Sequence, residues 1–174
     1  PGETINRPLI DPTTPPNGGV VPKVVMLISN SGALTVATAP DEPSSATVFW
    51  GQTDVPFSKF RFTSVGEGLF IEKLTFGPEA SNEQVGAAAN LLRVTISYKN
   101  QAGETLSSSA SSNSQGIVNF SWSGPNRPYV PKDSSTDITI SADLARADQG
   151  ATNAVFSLDF LTSYVASVQN GFRA

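Results

Sequence analysis

The chain has 174 residues, a length that fits one domain with an appendage or at most two small domains. Charged residues make up 15% and the net charge is −4, and with no basic stripe to neutralise phosphates, nucleic-acid binding is not expected. The chain has no cysteine and no histidine, which excludes disulfides, thiolate ligands, a Cys nucleophile and the His general base or zinc ligand.

A proline-rich segment opens the chain, with six of the 13 prolines in residues 1–22. Because proline fixes φ and lacks an N–H, this segment is predicted to be an extended arm and not a helix or central strand. A disordered linker would have the same composition. The chain starts at Pro1 without a Met, which suggests a processed chain or an excised fragment. The expected organisation is an arm or linker over 1–22 and a β-domain over 23–174.

Short β-branched segments follow the arm. Strands are predicted over Val20–Ser29, Gly32–Ala37 and, after a loop, Ala46–Trp50. The longest apolar run, Val24–Ile28, is far shorter than the roughly 20 residues of a transmembrane helix, so no membrane span is expected. The apolar residues of the first segment are candidate assembly residues: Val20, Val21, Val24, Val25, Met26, Leu27 and Ile28.

The clearest alternation lies over Val55–Val65, where Phe60 and Phe62 point to one face and charged or polar neighbours to the other. A turn at Gly66–Gly68 leads to a strand over Leu69–Phe76. Its expected faces are Phe70, Leu74 and Phe76 on one side, with Leu69 and Ile71 on the other. A helical turn is an option over Pro78–Gln84.

Alternating apolar residues continue through the second half of the chain. They are Leu92, Val94, Ile96 and Tyr98; Val118, Phe120 and Trp122; Ile138, Ile140 and Ala142; Phe156, Leu158 and Phe160. The Ser-rich stretch Thr105–Ser114 is either a linker or a polar edge strand with its loop. Many short strands, frequent turn signals and almost no helical periodicity predict an all-β, antiparallel β-sandwich, Ig-like or jelly-roll-like, with an extended N-terminal arm.

Several strand-and-turn motifs resemble a family of bacterial surface modules. They are Gly32–Val36, Gly51–Val55, Lys59–Thr63, Glu72–Phe76 and Val130–Leu144. Such modules occur in large secreted or surface-layer-like proteins, notably of candidate-phyla bacteria, and the resemblance covers residues 32–174 in outline. It implies an Ig-like or jelly-roll-like sandwich at the cell surface and brings no catalytic residues to transfer.

Carboxylates are the remaining candidates for chemistry. Glu67, Glu72, Asp137 and Asp159 are the candidates for the two carboxylates of glycoside hydrolysis, but each lies in a predicted strand or turn where exposure to solvent explains it. Asp41-Glu42 with Asp54, or Asp143 with Asp148, are the only clusters resembling a calcium site, and neither has EF-hand spacing. The expectation is therefore a protein that is not an enzyme and has no metal or cofactor.

Aromatic residues offer a possible sugar-binding platform. Trp50 and Tyr129 are the candidate ligand-binding aromatics. Trp122 is in register with Val118 and Phe120, so a place in the core is the better interpretation for it.

Two functions follow from these features. The first is a structural subunit of an extracellular filament, pilus-like fibre or surface lattice, in which copies of the chain form a homopolymer by strand or arm exchange. The alternative is a binding module, adhesin-like or carbohydrate-binding, of a larger secreted surface protein with a glycan or protein ligand. Both place the chain outside the cell or on its surface.

Overall fold

The computed structural model describes residues 32–44, 46–78, 84–149 and 158–167, together with two short strands before them. The chain divides into two units, Pro1–Ser31 and Gly32–Ala174. In the first unit, β1 (Thr4–Ile5) pairs antiparallel with β2 (Met26–Leu27). The rest of the predicted arm lies outside the described residues, and so do the candidate assembly residues Val20, Val21, Val24, Val25 and Ile28. The boundary proposed between residues 22 and 23 stays a prediction.

Antiparallel strands dominate the second unit. They are β3 (Ala33–Thr38), β4 (Val55–Val65), β5 (Leu69–Gly77), β6 (Leu91–Lys99), β7 (Thr105–Ala110), β8 (Val118–Ser121), β9 (Tyr129–Val130), β10 (Ser135–Leu144) and β11 (Asp159–Ser167). A short helix, α1 (Gln84–Asn90), precedes β6, and a 3-10 turn spans Ala147–Gln149. No helix of the described residues is long and apolar enough to cross a membrane.

Two sheets make up this unit. The first has the strand order β3-β4-β10-β6-β7, and the second has β11-β5-β8 with β9 also pairing with β5. Inward-facing side chains of both sheets form one core cluster, in which Phe76 stacks on Phe60 with ring centroids 5.8 Å apart. The predicted all-β, antiparallel sandwich is therefore confirmed.

The alternation of β4 is confirmed over Ser58–Ser64, and Phe57 is an extra residue where β4 pairs with β10. The alternation of β5 is broken by a bulge. Lys73 pairs with Tyr164 while Ile71 pairs with Val165, so Glu72 is the extra residue. Ile71 consequently joins Leu74 and Phe76 in the core, and Phe70 lies instead against Tyr129. The predicted grouping of Phe70 with Leu74 and Phe76 is wrong for this reason.

A second bulge lies at the start of β6. Asp143 pairs with Arg93 and Leu144 with Leu91, which leaves Leu92 as the extra residue. Leu92 is 49% exposed, whereas Leu91 and Val94 are buried. The predicted alternation from Leu92 to Tyr98 therefore begins two residues later, at Val94.

Two local predictions are resolved by the described residues. The Ser-rich stretch forms β7, the edge strand of the first sheet, and is not a linker. The predicted strand over Ala46–Trp50 is absent, because this segment leads into a turn and is exposed to solvent. Helical structure occurs over Gln84–Asn90, and most of the predicted Pro78–Gln84 turn lies outside the described residues.

Candidate interaction surfaces

A tight turn displays the most exposed large apolar side chain of the described residues, Phe49, with two further exposed apolar side chains beside it. We call Val48–Gln52 the aromatic turn. Phe49 is 73% exposed, Trp50 49% and Val48 37%. Sequence inspection had singled out Trp50 but missed Phe49 and Val48, although three apolar residues directly before Gly51-Gln52 were the available signal.

Hydrogen bonds hold the aromatic turn on both sides. The Phe49 N–H donates to Gln52 Oε1 at 2.7 Å, and the Gln52 N–H donates to the Phe49 carbonyl at 3.3 Å. The Gly51 N–H donates to the Ala145 carbonyl at 3.0 Å, and the Leu144 N–H donates to the Gln52 carbonyl at 2.8 Å. Gly51 has a φ of 73°, which favours glycine. The turn is thus anchored to the end of β10 while its apolar side chains face solvent.

Charged residues follow the aromatic turn along the chain. Asp54 donates its backbone N–H to Asp143 Oδ1 at 2.9 Å, and Arg93 donates to Asp143 Oδ2 at 2.6 Å. The pKa of Asp143 is lowered from its usual 3.8, first by the Asp54 N–H and then by the Arg93 side chain, against an opposing effect of burial. Asp143 is therefore ionised at neutral pH and ties β6, β10 and the segment after the turn together.

The second candidate aromatic, Tyr129, lies elsewhere. Its ring packs on Phe70 with centroids 5.2 Å apart, and its hydroxyl lies against Gly68. Tyr129 is therefore at the end of β4 that leads into β5, whereas Trp50 is near the start of β4. An eleven-residue strand separates these ends, a length of about 33 Å at roughly 3.3 Å per residue. The structure does not bring the two aromatics together into one platform.

Trp122 packs against the core, as its register predicted. Its ring stacks on Phe120 at 5.8 Å and meets Tyr98 edge-on at 5.5 Å. Its indole N–H donates to Ser108 Oγ at 2.9 Å. Trp122 thus fills the seam between β7 of the first sheet and β8 of the second.

The candidate carboxylates are engaged in structural contacts. Glu67 Oε1 accepts the Gly32 N–H at 2.7 Å, Glu72 pairs with Arg127 at 3.1 Å, and Asp137 pairs with Arg61 at 2.7 Å. Arg61 also lowers the pKa of Asp137, outweighing the effect of burial. The side chain of Asp159 lies outside the described part of the structure.

The candidate calcium clusters are not assembled in the described ranges, where no group of three or more acidic side chains could hold a metal ion. Asp41 forms an ion pair with Lys59. Asp54 and Asp143 are brought together, but through the Asp54 N–H, a donor that cannot ligate a cation.

The edges of the first sheet form a further surface. β3 and β7 are its outermost strands, with the sequences Ala-Leu-Thr-Val-Ala-Thr and Thr-Leu-Ser-Ser-Ser-Ala. Neither contains a charged residue or a proline, the two devices by which many proteins block pairing at a sheet edge. Within the described residues, β3 pairs with β4 alone and β7 with β6 alone.

Comparison of the chain with models of protein families, with curated proteins and with solved structures finds no match. The resemblance to bacterial surface modules therefore stays a prediction.

Proposed function

We propose that this protein is a structural subunit of an extracellular filament, pilus-like fibre or surface lattice, in which copies associate by strand or arm exchange. The observation that supports this proposal is that, within the described residues, β3 and β7 each pair on one side only and contain no charged residue or proline. An edge strand presents a row of free N–H and C=O groups, and an extended segment of another chain can pair with them.

The composition of the arm supports the same function. Residues 1–22 are rich in proline, and the apolar segment that follows contains seven candidate assembly residues between Val20 and Ile28. A contact between this segment of one copy and a sheet edge of another joins two different surfaces. Repetition of such a head-to-tail contact produces a filament when it does not close into a ring.

Assembly is tested with the full chain. Negative-stain electron microscopy and sedimentation velocity over a range of concentrations should show fibres or sheets. Deletion of residues 1–22 should abolish them while circular dichroism retains the β-sheet spectrum. A full chain that stays monomeric at every concentration, or a truncated chain that still polymerises, would contradict the proposal.

A binding module is the second candidate, and the aromatic turn favours it. A rigid turn that exposes Phe49 and Trp50 resembles the anchors that dominate many interfaces, because aromatic side chains supply a large contact area at low entropic cost. The ligand would be a glycan or a protein. Neither candidate function involves catalysis, a metal or a cofactor.

The binding module is tested on a glycan array and by pull-down of surface proteins. The double variant Phe49→Ser/Trp50→Ser should lose the captured ligand. Leu92→Ser is the matched control, because Leu92 is as exposed as Trp50 but lies in a strand bulge. Equal loss in both variants, or a blank array together with an empty pull-down, would contradict this candidate.

A further inference from the structure

The hydrogen-bond pattern between β3 and β4 shows which backbone groups of β3 do not bond to β4. The Ala39 N–H donates to the Lys59 carbonyl at 2.8 Å, and Thr38 is the next residue, opposite Phe60. In an antiparallel pair, residues bonded to the neighbour alternate with residues whose N–H and C=O point away. Ala33, Thr35 and Ala37 therefore bond to β4, and the row that points away from the sheet consists of Leu34, Val36 and Thr38.

The same free row carries apolar side chains on the core side. Leu34 and Val36 are half-buried and pack against the core cluster, while Thr35 and Ala37 face outward and are exposed. A strand added beside β3 would gain backbone hydrogen bonds and would also cover the exposed parts of Leu34 and Val36. Burial of apolar surface is the main favourable term in such association.

β7, at the opposite edge of the first sheet, offers a less continuous apolar surface to an added strand than β3 does. The Asn100 N–H donates to the Glu104 carbonyl, so the free row of β7 consists of Thr105, Ser107 and Ser109. On the core side, Ser108 Oγ already accepts the Trp122 N–H, and the Trp122 ring fills the seam. Leu106 and Ala110 of β7 are also half-buried against the core, so a strand added beside β7 would cover them. Polar Ser108 lies between these two residues, however, whereas Leu34 and Val36 follow each other directly on the core side of β3.

The edges of the second sheet are irregular. The register of β11 on β5 shifts twice, between Phe160 and Thr162 and between Tyr164 and Val165. Bulges twist an edge away from flat pairing. On the other side of β5, two short strands, β8 and β9, follow each other with four and two residues. β3 pairs with β4 over six residues without a shift.

We infer that β3 is the acceptor edge, and that its occupant is the segment Val24–Ile28 of a second copy of this chain. This inference rests on the proposed assembly function and names its partner surface. The donor segment has five consecutive apolar residues, so either alternating set of side chains can face Leu34 and Val36. Its centre, Met26–Leu27, already has strand conformation. Pro22 lies two residues before the segment and limits the pairing on that side, since proline cannot donate to a ladder. The five residues can pair with five of the six residues of β3.

The test compares two proline substitutions in the full chain. Val36→Pro removes a free N–H from β3, and Ser107→Pro is the matched control that removes a free N–H from β7. We expect Val36→Pro to raise the concentration needed for half-maximal assembly by about tenfold or more, and Ser107→Pro to assemble like the unmodified chain. Assembly is measured by sedimentation velocity and electron microscopy.

Folding is controlled by circular dichroism. Thr38→Pro serves as a second variant, because Thr38 has an exposed side chain and a free N–H, and it should weaken assembly without loss of buried surface. Polymers that form normally with both β3 variants would overturn the edge assignment and leave the assembly function intact. If Ser107→Pro weakens assembly and the two β3 variants do not, the acceptor edge is β7, and the assignment of β3 is likewise overturned.

The donor is tested with a synthetic peptide of residues 20–29. Added in excess to the full chain, it should shorten or dissolve the polymers, whereas a peptide of the same composition in scrambled order, with its single proline moved to the middle, should not. Polymers indifferent to both peptides would overturn the donor assignment. A full chain that never polymerises would instead overturn the proposed function itself.

Discussion

Two turns flank β4, and they differ in the burial of their largest side chains. At the end of β4, the turn Gly66–Gly68 buries Glu67, whose carboxylate accepts the Gly32 N–H, and the Gly66 N–H donates to Asp133 at 2.7 Å. Before β4, the aromatic turn uses similar side-chain-to-backbone bonds but exposes Phe49 and Trp50. Local hydrogen bonding makes both turns rigid. What differs is the direction of the large side chain, inward for stability in one turn and outward for contact in the other.

Loss of the Glu67 carboxylate should have the largest effect on the stability of the two turns. In Glu67→Ala, the Gly32 N–H loses its acceptor and a buried cavity forms. An unsatisfied, partly buried donor together with the lost packing of Glu67 costs about 1–3 kcal/mol of unfolding free energy. Urea denaturation measures the change, with Glu42→Ala as the control, because Glu42 is an exposed carboxylate. Equal effects of the two variants would remove the contrast between the turns.

A side chain at Gly68 should have the next largest effect. A Cβ at this position would collide with the Tyr129 hydroxyl, and crowding of this kind costs about 1–3 kcal/mol. We therefore expect Gly68→Ala to be destabilised, and the double variant Gly68→Ala/Tyr129→Phe to recover part of the loss. A double-mutant cycle from urea denaturation measures the coupling. Strictly additive effects would show that the close approach of Tyr129 does not matter.

The end of the sandwich near the aromatic turn should be sensitive to acid through Asp143. Its pKa is lowered in the folded state, so its stabilising contribution is present above its usual pKa of 3.8 and is lost as pH falls through the folded value. Asp143→Asn should reduce the stability of the folded chain at neutral pH, and the stability of this variant should fall less steeply than that of the unmodified chain below pH 3.8. Thermal unfolding from pH 2 to pH 7 measures this. If the stability of the variant falls below pH 3.8 as steeply as that of the unmodified chain, the Asp54 and Arg93 contacts do not stabilise ionised Asp143.

Removal of the exposed rings should have the smallest effect on stability. Phe49→Ala should change the unfolding free energy by less than about 0.5 kcal/mol, as for most surface substitutions. Trp50→Phe should also leave stability nearly unchanged, and it should make the remaining tryptophan fluorescence less accessible to acrylamide, because Trp122 is packed against the core. A large destabilisation by either variant would mean that the aromatic turn is structural, like the turn at the other end of β4.

The sequence predicted the sandwich well because alternation is a property of single strands. β4 occurs over the residues expected, and Ile138 and Ile140 of β10 are buried as expected. The bulges at Glu72 and Leu92 were not predictable, since each depends on how a partner strand pairs, and an extra residue leaves no mark in a single apolar pattern. They reversed the assigned faces of Phe70 and Leu92.

The candidate surfaces were predicted less completely. Trp50 was recognised as a candidate, whereas Val48 and Phe49 were included only in the predicted strand Ala46–Trp50, because an apolar run before a glycine is compatible with a buried strand as well as with an exposed turn. The open edge at β3 depends on strand order, which places β4 and β10 in the interior of the sheet and leaves β3 outside. No local pattern in Ala33–Thr38 distinguishes an edge strand from a central one.

The position of β10 has a consequence for how the chain folds. β10 lies between β4 and β6, yet it follows both in sequence and is the last strand of the first sheet to leave the ribosome. Until Ser135–Leu144 emerges, the strand pairs β3-β4 and β6-β7 have no central strand between them. The edges of β4 and β6 that bind β10 therefore stay unpaired. Contacts between residues so distant in sequence make folding slow and leave intermediates prone to aggregation. A nascent chain that stalls before Ser135 should therefore be a substrate for chaperones, whereas one released after β11 should not.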